Sequence, residues 1–425
     1  MNQFSDFDIS SVLKKRLAAA NFVTPTPVQA GAIPPALEGR DVLATAQTGT
    51  GKTLSFLVPI IEKLRAMEQE SPQIAPQAAP QAQPIQQQGG RGRVSGRSGQ
   101  NNRANYGSIK GPIKPISALI LLPTRELAMQ VEKVYRELMS GDGMRSALVV
   151  GGLAEGPQLD SIRRGARLMI ATPGRLEDFL DRKLVKLEQV EILVLDECDR
   201  MLDMGFKPAI KRIVAKLSPG RQTLCYSATL DTQMREVVRE YLKDPVRIDI
   251  STTLKPAENV ALQMFEVSAE KKHELLEHLL GKDQGSFLVF TRTKHGADKI
   301  AKRLERGGWS ATRIHGDRSQ SQRSAALKSF AMGGHRILVA TDVAARGIDV
   351  PHVAHVVNYD MPREAEDFVH RIGRTGRMAR SGIASTFAMP EERGDVKKIE
   401  RKLAISMKRF RVSANTSVAS GMAHA

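Results

Sequence analysis

Cysteine is nearly absent: the 425-residue chain carries only Cys198 and Cys225. Two thiols cannot build a disulfide framework or a zinc centre, so a reducing compartment is expected. Aromatic residues make up 4% of the chain, and any core must therefore rest on aliphatic side chains. No apolar run is long enough to cross a bilayer. The start, Met1-Asn2-Gln3-Phe4-Ser5-Asp6-Phe7, lacks both the basic residues and the apolar stretch of a signal peptide. A cytoplasmic protein without membrane contact is the expectation. Acidic residues are outnumbered, 46 against 63 Lys and Arg, for a formal net charge of +17. That excess favours a polyanionic partner.

What is present begins with Ala46-Gln47-Thr48-Gly49-Thr50-Gly51-Lys52-Thr53. The segment Asp41 to Thr45 before it is strand-like, and Leu54, Leu57, Val58, Ile61 and Leu64 after it recur at helical spacing. Glycines at 49 and 51 permit a tight turn, so backbone N–H groups and a helix N-terminus can face a polyphosphate. Thr48, Gly49, Thr50 and Gly51 would form this phosphate-binding loop. Lys52 would reach the β/γ-phosphates and the Thr53 hydroxyl would ligate Mg2+. Ala46 stands where the first glycine of the pattern usually lies.

A chain of this length exceeds one ordinary core, so two domains are expected. Residues 68–115, rich in Gln, Pro, Ala, Gly, Ser and Arg and without periodicity, read as a disordered insertion in the first domain. It is either a solvated loop or a basic arm that touches phosphates. Asp244-Pro245 and Lys255-Pro256 mark a linker over 244–260. The domains are then 1–243 and 261–411, with a short tail at 412–425. Apolar runs such as Ala118 to Leu122, Ile192 to Leu195, Phe287 to Phe290 and Ile337 to Ala340 alternate with helical patterns such as Glu126 to Leu138 and Ala297 to Leu304. Strands apolar on both faces predict α/β architecture, with two doubly wound parallel sheets in tandem. Ligands bind such sheets at the carboxyl ends of the strands.

One of those ends carries Asp196-Glu197-Cys198-Asp199. Asp196 would hold Mg2+ beside the phosphate-binding loop. Glu197 would orient and deprotonate an attacking water.

Further strings follow in order: Phe22 with Pro25-Thr26-Pro27-Val28-Gln29, Pro123-Thr124-Arg125-Glu126-Leu127, Gly151-Gly152, Thr172-Pro173-Gly174-Arg175 and Ser227-Ala228-Thr229. The second half adds Val289 to Thr293, Gln320 with Arg323, Ala340-Thr341-Asp342 through Arg346-Gly347-Ile348-Asp349, and His370-Arg371-Ile372-Gly373-Arg374-Thr375-Gly376-Arg377. Together these resemble the DEAD-box RNA helicases of superfamily 2, from Phe4 to about Phe387. The resemblance implies two RecA-like domains with ATP and Mg2+ between them, and hydrolysis that requires their closure on RNA.

Residue by residue, the resemblance implies that Gln29 reads adenine and Phe22 stacks on it, with Phe4 supporting that motif. An amide offers both donor and acceptor for the purpose. Asp349 resembles the ribose-binding acid. Arg374 and Arg377 resemble arginine fingers, whose guanidinium suits a phosphoryl group gaining charge. His370, Ser227 and Thr229 resemble the groups that link ATP, acidic box and RNA-bound closure. The implied RNA contacts are Thr124, Arg125, Gly151, Gly152, Thr172 and Arg175, with Arg292, Arg323 and Thr341 from the second domain. Short hydroxyls, arginines and glycine backbone suit phosphate and sugar, so binding without sequence preference is expected.

Cys198 replaces the usual alanine of the acidic box, giving DECD, a spelling that resembles eukaryotic splicing and export helicases. The strings Glu191 to Phe206 and Leu288 to Ala297 nevertheless look most like the bacterial RhlE-type branch. Cysteine is small, so ATP chemistry should survive while thiol sensitivity is added. Lys397 to Arg411 reads as a final amphipathic helix. An ATP-dependent RNA unwindase leads the function classes, ahead of an RNA clamp switched by ATP and a DNA-directed translocase. A monomer is expected, with ribosomal precursor particles or the RNA-decay machinery as candidate partners.

Overall fold

A computed structural model describes residues 3–46, 50–70, 115–250, 259–345, 353–376 and 381–411. Nearly all of the insertion, the tail, and the site candidates Thr48, Gly49, Asp349 and Arg377 lie outside the described residues.

The first sheet uses β1 (Val42–Thr45), β2 (Ala118–Leu121), β3 (Ser146–Val149), β4 (Leu168–Ala171), β5 (Ile192–Leu195), β6 (Gln222–Ser227) and β7 (Val246–Asp249). The second uses β8 (Val260–Glu266), β9 (Phe287–Thr291), β10 (Ala311–Ile314), β11 (Ile337–Thr341), β12 (His355–Asn358), β13 (Gly382–Ala388) and β14 (Lys408–Arg411). Their orders are β3-β4-β2-β5-β6-β1-β7 and β10-β11-β9-β12-β13-β8-β14. Adding seven to each strand number of the first gives the second. Every pairing is parallel, so the α/β expectation of two doubly wound sheets holds.

The central strands are aliphatic and covered on both faces, which is why they read as unbroken apolar runs. Each sheet separates two cores. On the first, Ile120, Val194 and Leu224 enter one core while Leu119, Leu193 and Cys225 enter the other. On the second, Leu288 and Leu338 oppose Val289 and Val339 in the same way. Successive strand residues point to opposite faces, and a shift of one residue would exchange the two cores.

Two sequence expectations need correction. The linker placed at 244–260 contains β7, which pairs with β1; Val246 N–H donates to the Asp41 carbonyl at 2.8 Å and Ile250 N–H to that of Thr45 at 3.0 Å. Asp244-Pro245 is thus a turn into an edge strand, whose half-exposed residues give no apolar run. The second concerns Lys397 to Arg411. The last helix spans Arg393–Leu403 and stops at Ala404, which is left-handed at φ 51°. The chain then adds β14 along β8, with Phe410 stacked on Phe265 at 4.9 Å between ring centroids.

Candidate active site

The loop after β1 runs into the helix Lys52–Glu70. Gly51 has φ 90°, and a side chain there would collide with Gln29 and Thr26, so glycine is required for both reasons. Gln29 is buried and braces the loop: its amide donates to the Gly51 carbonyl at 2.8 Å while its oxygen accepts from Thr26 N–H at 2.8 Å. Lys52 donates to the Ala46 carbonyl at 3.2 Å and lies 3.8 Å from Asp196. Phe22 packs partly buried on the first core, whereas Phe4 is a core residue set edge-on to Phe7. Phe4 N–H donates to the Val23 carbonyl at 2.9 Å, which ties the N-terminal segment to the one carrying Phe22.

β5 delivers the acids. Asp196 accepts from Glu197 N–H at 2.9 Å, and burial pushes its carboxyl up to about 6 despite Lys52. Glu197 adopts left-handed backbone, φ 49°, at the entry of the helix Cys198–Asp203. Strain of this kind at a non-glycine residue costs about 1–3 kcal/mol and persists only when the surroundings hold it. Burial acts to raise the Glu197 carboxyl, but Arg200, Lys52, Arg374 and His370 together hold it below the ordinary range. Arg200 lies 3.3 Å from it. Arg374 and His370 come from the far side, in and just after the helix Ala365–Ile372. The structure thus brings Lys52, Asp196, Glu197, His370 and Arg374 to one place.

Asp199 was missed in the sequence. One of its oxygens accepts from Ala228 N–H at 3.0 Å, Thr229 N–H at 3.0 Å and the Thr229 hydroxyl at 3.2 Å. Ser227 in turn donates to the Thr229 carbonyl at 2.7 Å. The acidic box and the segment after β6 are therefore one hydrogen-bonded unit. An acid three residues after Asp196 was the available signal, but its partners lie about thirty positions away and leave no periodic trace.

The candidate RNA contacts fall into two groups. Thr124 caps the helix Arg125–Leu138, its oxygen accepting from Leu127 N–H at 3.3 Å. Arg125 lies against Gly151 and Gly152; at Gly152, φ 75°, a side chain would strike that guanidinium. Thr172 precedes the helix Pro173–Asp181, where Arg175 donates to Asp178 at 3.1 Å and sits over Phe179. These belong to the first sheet. Thr341 ends β11 beside Thr291 at the end of β9. Arg292 is half-exposed, 3.5 Å from Glu392, and its N–H donates to Asp360 at 2.8 Å.

Arg323, a candidate RNA contact, also has a partner in the first half. It is buried, and its guanidinium lies 2.7 Å from Glu126 of the first half. Gln320 donates to the other oxygen of Glu126 at 3.0 Å. A carboxylate meets this arginine in this conformation, so it bridges the two halves. Glu126 was also overlooked, because a single acid inside an amphipathic helix reads as a solvated charge.

Comparison with known proteins agrees with this geometry. The DEAD/DEAH box helicase family model matches residues 26–237, and the helicase conserved C-terminal domain matches residues 270–379. The chain belongs to the DEAD-box helicases. It is 41% identical over 390 residues to DEAD-box ATP-dependent RNA helicase 30 of Arabidopsis thaliana, covering 91% of this chain and 59% of that protein. It is 42% identical over 371 residues to the ATP-dependent RNA helicase DBP2 of Candida albicans, covering 86% of this chain and 59% of that one. The chain therefore spans about three fifths of the length of these relatives. Among solved structures, S. cerevisiae Dbp5 bound to RNA and ADP BeF3 is similar with a TM-score of 0.78 at 27% identity, over 97% of this chain and 96% of that one. Mss116p bound to ssRNA and AMP-PNP gives 0.77 at 26% identity, over 96% and 78%. For this DEAD-box chain, no helix among the described residues is long and apolar enough to cross a membrane.

Proposed function

We propose that this chain couples ATP hydrolysis to the local unwinding of short RNA duplexes or the remodelling of RNA–protein complexes, gripping the RNA backbone without reading sequence. The observation that carries the reading is the convergence on Glu197 of Lys52 and Arg200 with Arg374 and His370. A site assembled from both halves turns over only when they close, and a ligand that favours closure stimulates it.

In this reading Thr48, Gly49, Thr50, Gly51 and Lys52 cradle the phosphates, Phe22 and Gln29 hold the base, and Asp349 holds the ribose. The residues present fit Mg2+: Asp196 is a buried carboxylate whose desolvation outweighs the nearby Lys52 and raises it to about 6, a shift that a bound cation would oppose, and it lies beside the segment bearing Thr53. These two would hold the ion, which when bound neutralises charge on the transferring phosphoryl group. Glu197, kept ionised by its cationic neighbours, takes the proton of the attacking water. Arg374 and Arg377 meet the developing negative charge. Ser227, Thr229 and His370 tie that step to closure. Thr124, Arg125, Gly151, Gly152, Thr172 and Arg175, with Arg292, Arg323 and Thr341, grip the RNA; Arg323 also stabilises the closed form through Glu126.

Phosphate release tests this directly. Single-stranded RNA should raise ATP turnover by about tenfold or more, and DNA of the same sequence should not. Equal turnover with and without RNA would contradict the proposal. We also propose the RhlE-type branch, a cytoplasmic monomer, and ribosomal precursor particles or RNA-decay complexes as targets. Support for the branch rests on the strings Glu191 to Phe206 and Leu288 to Ala297.

Two smaller effects follow. Cys198→Ala should leave ATPase unchanged in the reduced protein and cost about 1 kcal/mol of stability, because it removes one sulfur from a buried cluster. A thermal melt alongside the ATPase assay checks both. The insertion is basic and bears none of the proposed site residues. Replacing residues 72–112 with a short Gly/Ser linker should leave ATPase at saturating RNA intact. The slope of log affinity against log salt should flatten by roughly the number of phosphates that the arm neutralises in the full chain. Parallel salt titrations of the two proteins would instead indicate a plain solvated loop.

A further inference from the structure

The two cysteines of this chain, 27 positions apart in sequence, lie against each other. β5 and β6 are parallel neighbours with Leu195 opposite Cys225, a spacing of about 4.8 Å between strands. Beyond Leu195 the chain turns through Asp196 and the left-handed Glu197, and Cys198 opens a helix that packs back on β6. Both cysteines are fully buried in the same apolar cluster. The Cys225 side chain is the main influence raising the Cys198 thiol above its ordinary range, followed by burial. The helix that Cys198 opens touches the strand that carries Cys225, and both side chains sit in one buried cluster; a disulfide needs about 4.4–6.8 Å between the two Cα atoms.

We infer that Cys198 and Cys225 form a modification site, a dithiol that a peroxide closes into an intrachain disulfide between the acidic box and β6. The atoms balance. One sulfur attacks a peroxide oxygen, the O–O bond breaks, water leaves and a sulfenic acid remains. The second sulfur attacks the first, the S–S bond forms and a second water leaves. Two thiols and one hydrogen peroxide become one disulfide and two waters.

The surroundings set the rate and the consequence. Neither sulfur reaches solvent, so closure is slow and waits on local opening of the helix. Hydrogen peroxide, small and uncharged, enters where bulky maleimides do not. Glu197 immediately precedes Cys198, and Ser227 follows Cys225 by two residues. Drawing the sulfurs to about 2.05 Å therefore displaces the left-handed turn at Glu197 and the Asp199 bonds to Ala228 and Thr229. This consequence for activity rests on the ATPase reading; the disulfide itself does not.

The experiment exposes wild type and Cys225→Ala to hydrogen peroxide, blocks remaining thiols with iodoacetamide, and digests with trypsin without reductant. RNA-stimulated ATPase is followed in parallel, before and after dithiothreitol. The expected product joins peptides 187–200 and 222–235. It should accumulate in step with a loss of about tenfold or more in ATPase, and dithiothreitol should reverse both. Cys225→Ala should keep its activity through the same exposure. Absence of the joined peptide at full loss of activity overturns the inference, as does equal inactivation of Cys225→Ala. A joined peptide with unchanged ATPase overturns the coupling to the acidic box. If neither protein hydrolyses ATP before oxidation, the functional reading fails while the peptide still decides the disulfide.

Discussion

Glu197→Gln is expected to reduce RNA-stimulated ATP turnover by at least about a hundredfold, roughly 2.7 kcal/mol of barrier, while ATP and RNA binding persist. The amide keeps the shape of the side chain but cannot accept the proton of water. Arg200, Lys52, Arg374 and His370 all favour the charged carboxylate, so the substitution also removes the anion around which they gather. Closed complexes with unhydrolysed ATP should accumulate, readable as slow release of labelled RNA. A variant within about tenfold of wild type, a difference of roughly 1.4 kcal/mol, would remove Glu197 from the role of base.

Glu126→Ala should act on closure instead. In the closed form it leaves Arg323 and Gln320 without the carboxylate that now receives both. An uncompensated buried charge costs about 3–5 kcal/mol. With the halves apart Arg323 can reach water, so the cost falls on the closed state alone and shifts the equilibrium away from it. The RNA concentration needed for half-maximal ATPase should rise by about a hundredfold or more. Nucleotide binding to the first half should be unchanged. Arg323→Ala in the same background should do little further harm, since its partner is already gone. Wild-type RNA dependence in Glu126→Ala would show that the pair is incidental.

Both residues bear on how much could be read from the chain itself. The proposed phosphate-binding loop stood out because a glycine-rich stretch sits between an apolar strand and a periodic helix, and the structure adds the positive φ of Gly51. The acidic box was legible because acids ending a buried strand are rare. The parallel sheets followed from strands apolar on both faces. Glu126 was not legible: its partners are nearly two hundred residues away, and on its own helix it looks like any solvated acid. Asp199 was hidden in plain view within the box, since nothing local shows that it holds Ala228 and Thr229. β7 and β14 escaped because edge strands are short, charged and half-exposed, and such strands carry no apolar run. Contact between Cys198 and Cys225 required the pairing of β5 with β6, which follows from strand order and not from spacing.

The central claim is that closure of two halves around ATP separates RNA strands. Displacement of a short labelled strand, measured in parallel on RNA and DNA duplexes of one sequence with and without ATP, tests it most directly. The account predicts release from the RNA duplex only with ATP, no release from DNA, and none from either with Glu197→Gln under multiple turnover. An ATP-dependent grip on RNA without release of any strand would make the protein a clamp, and equal release from DNA would make it a general translocase; either result would contradict the account.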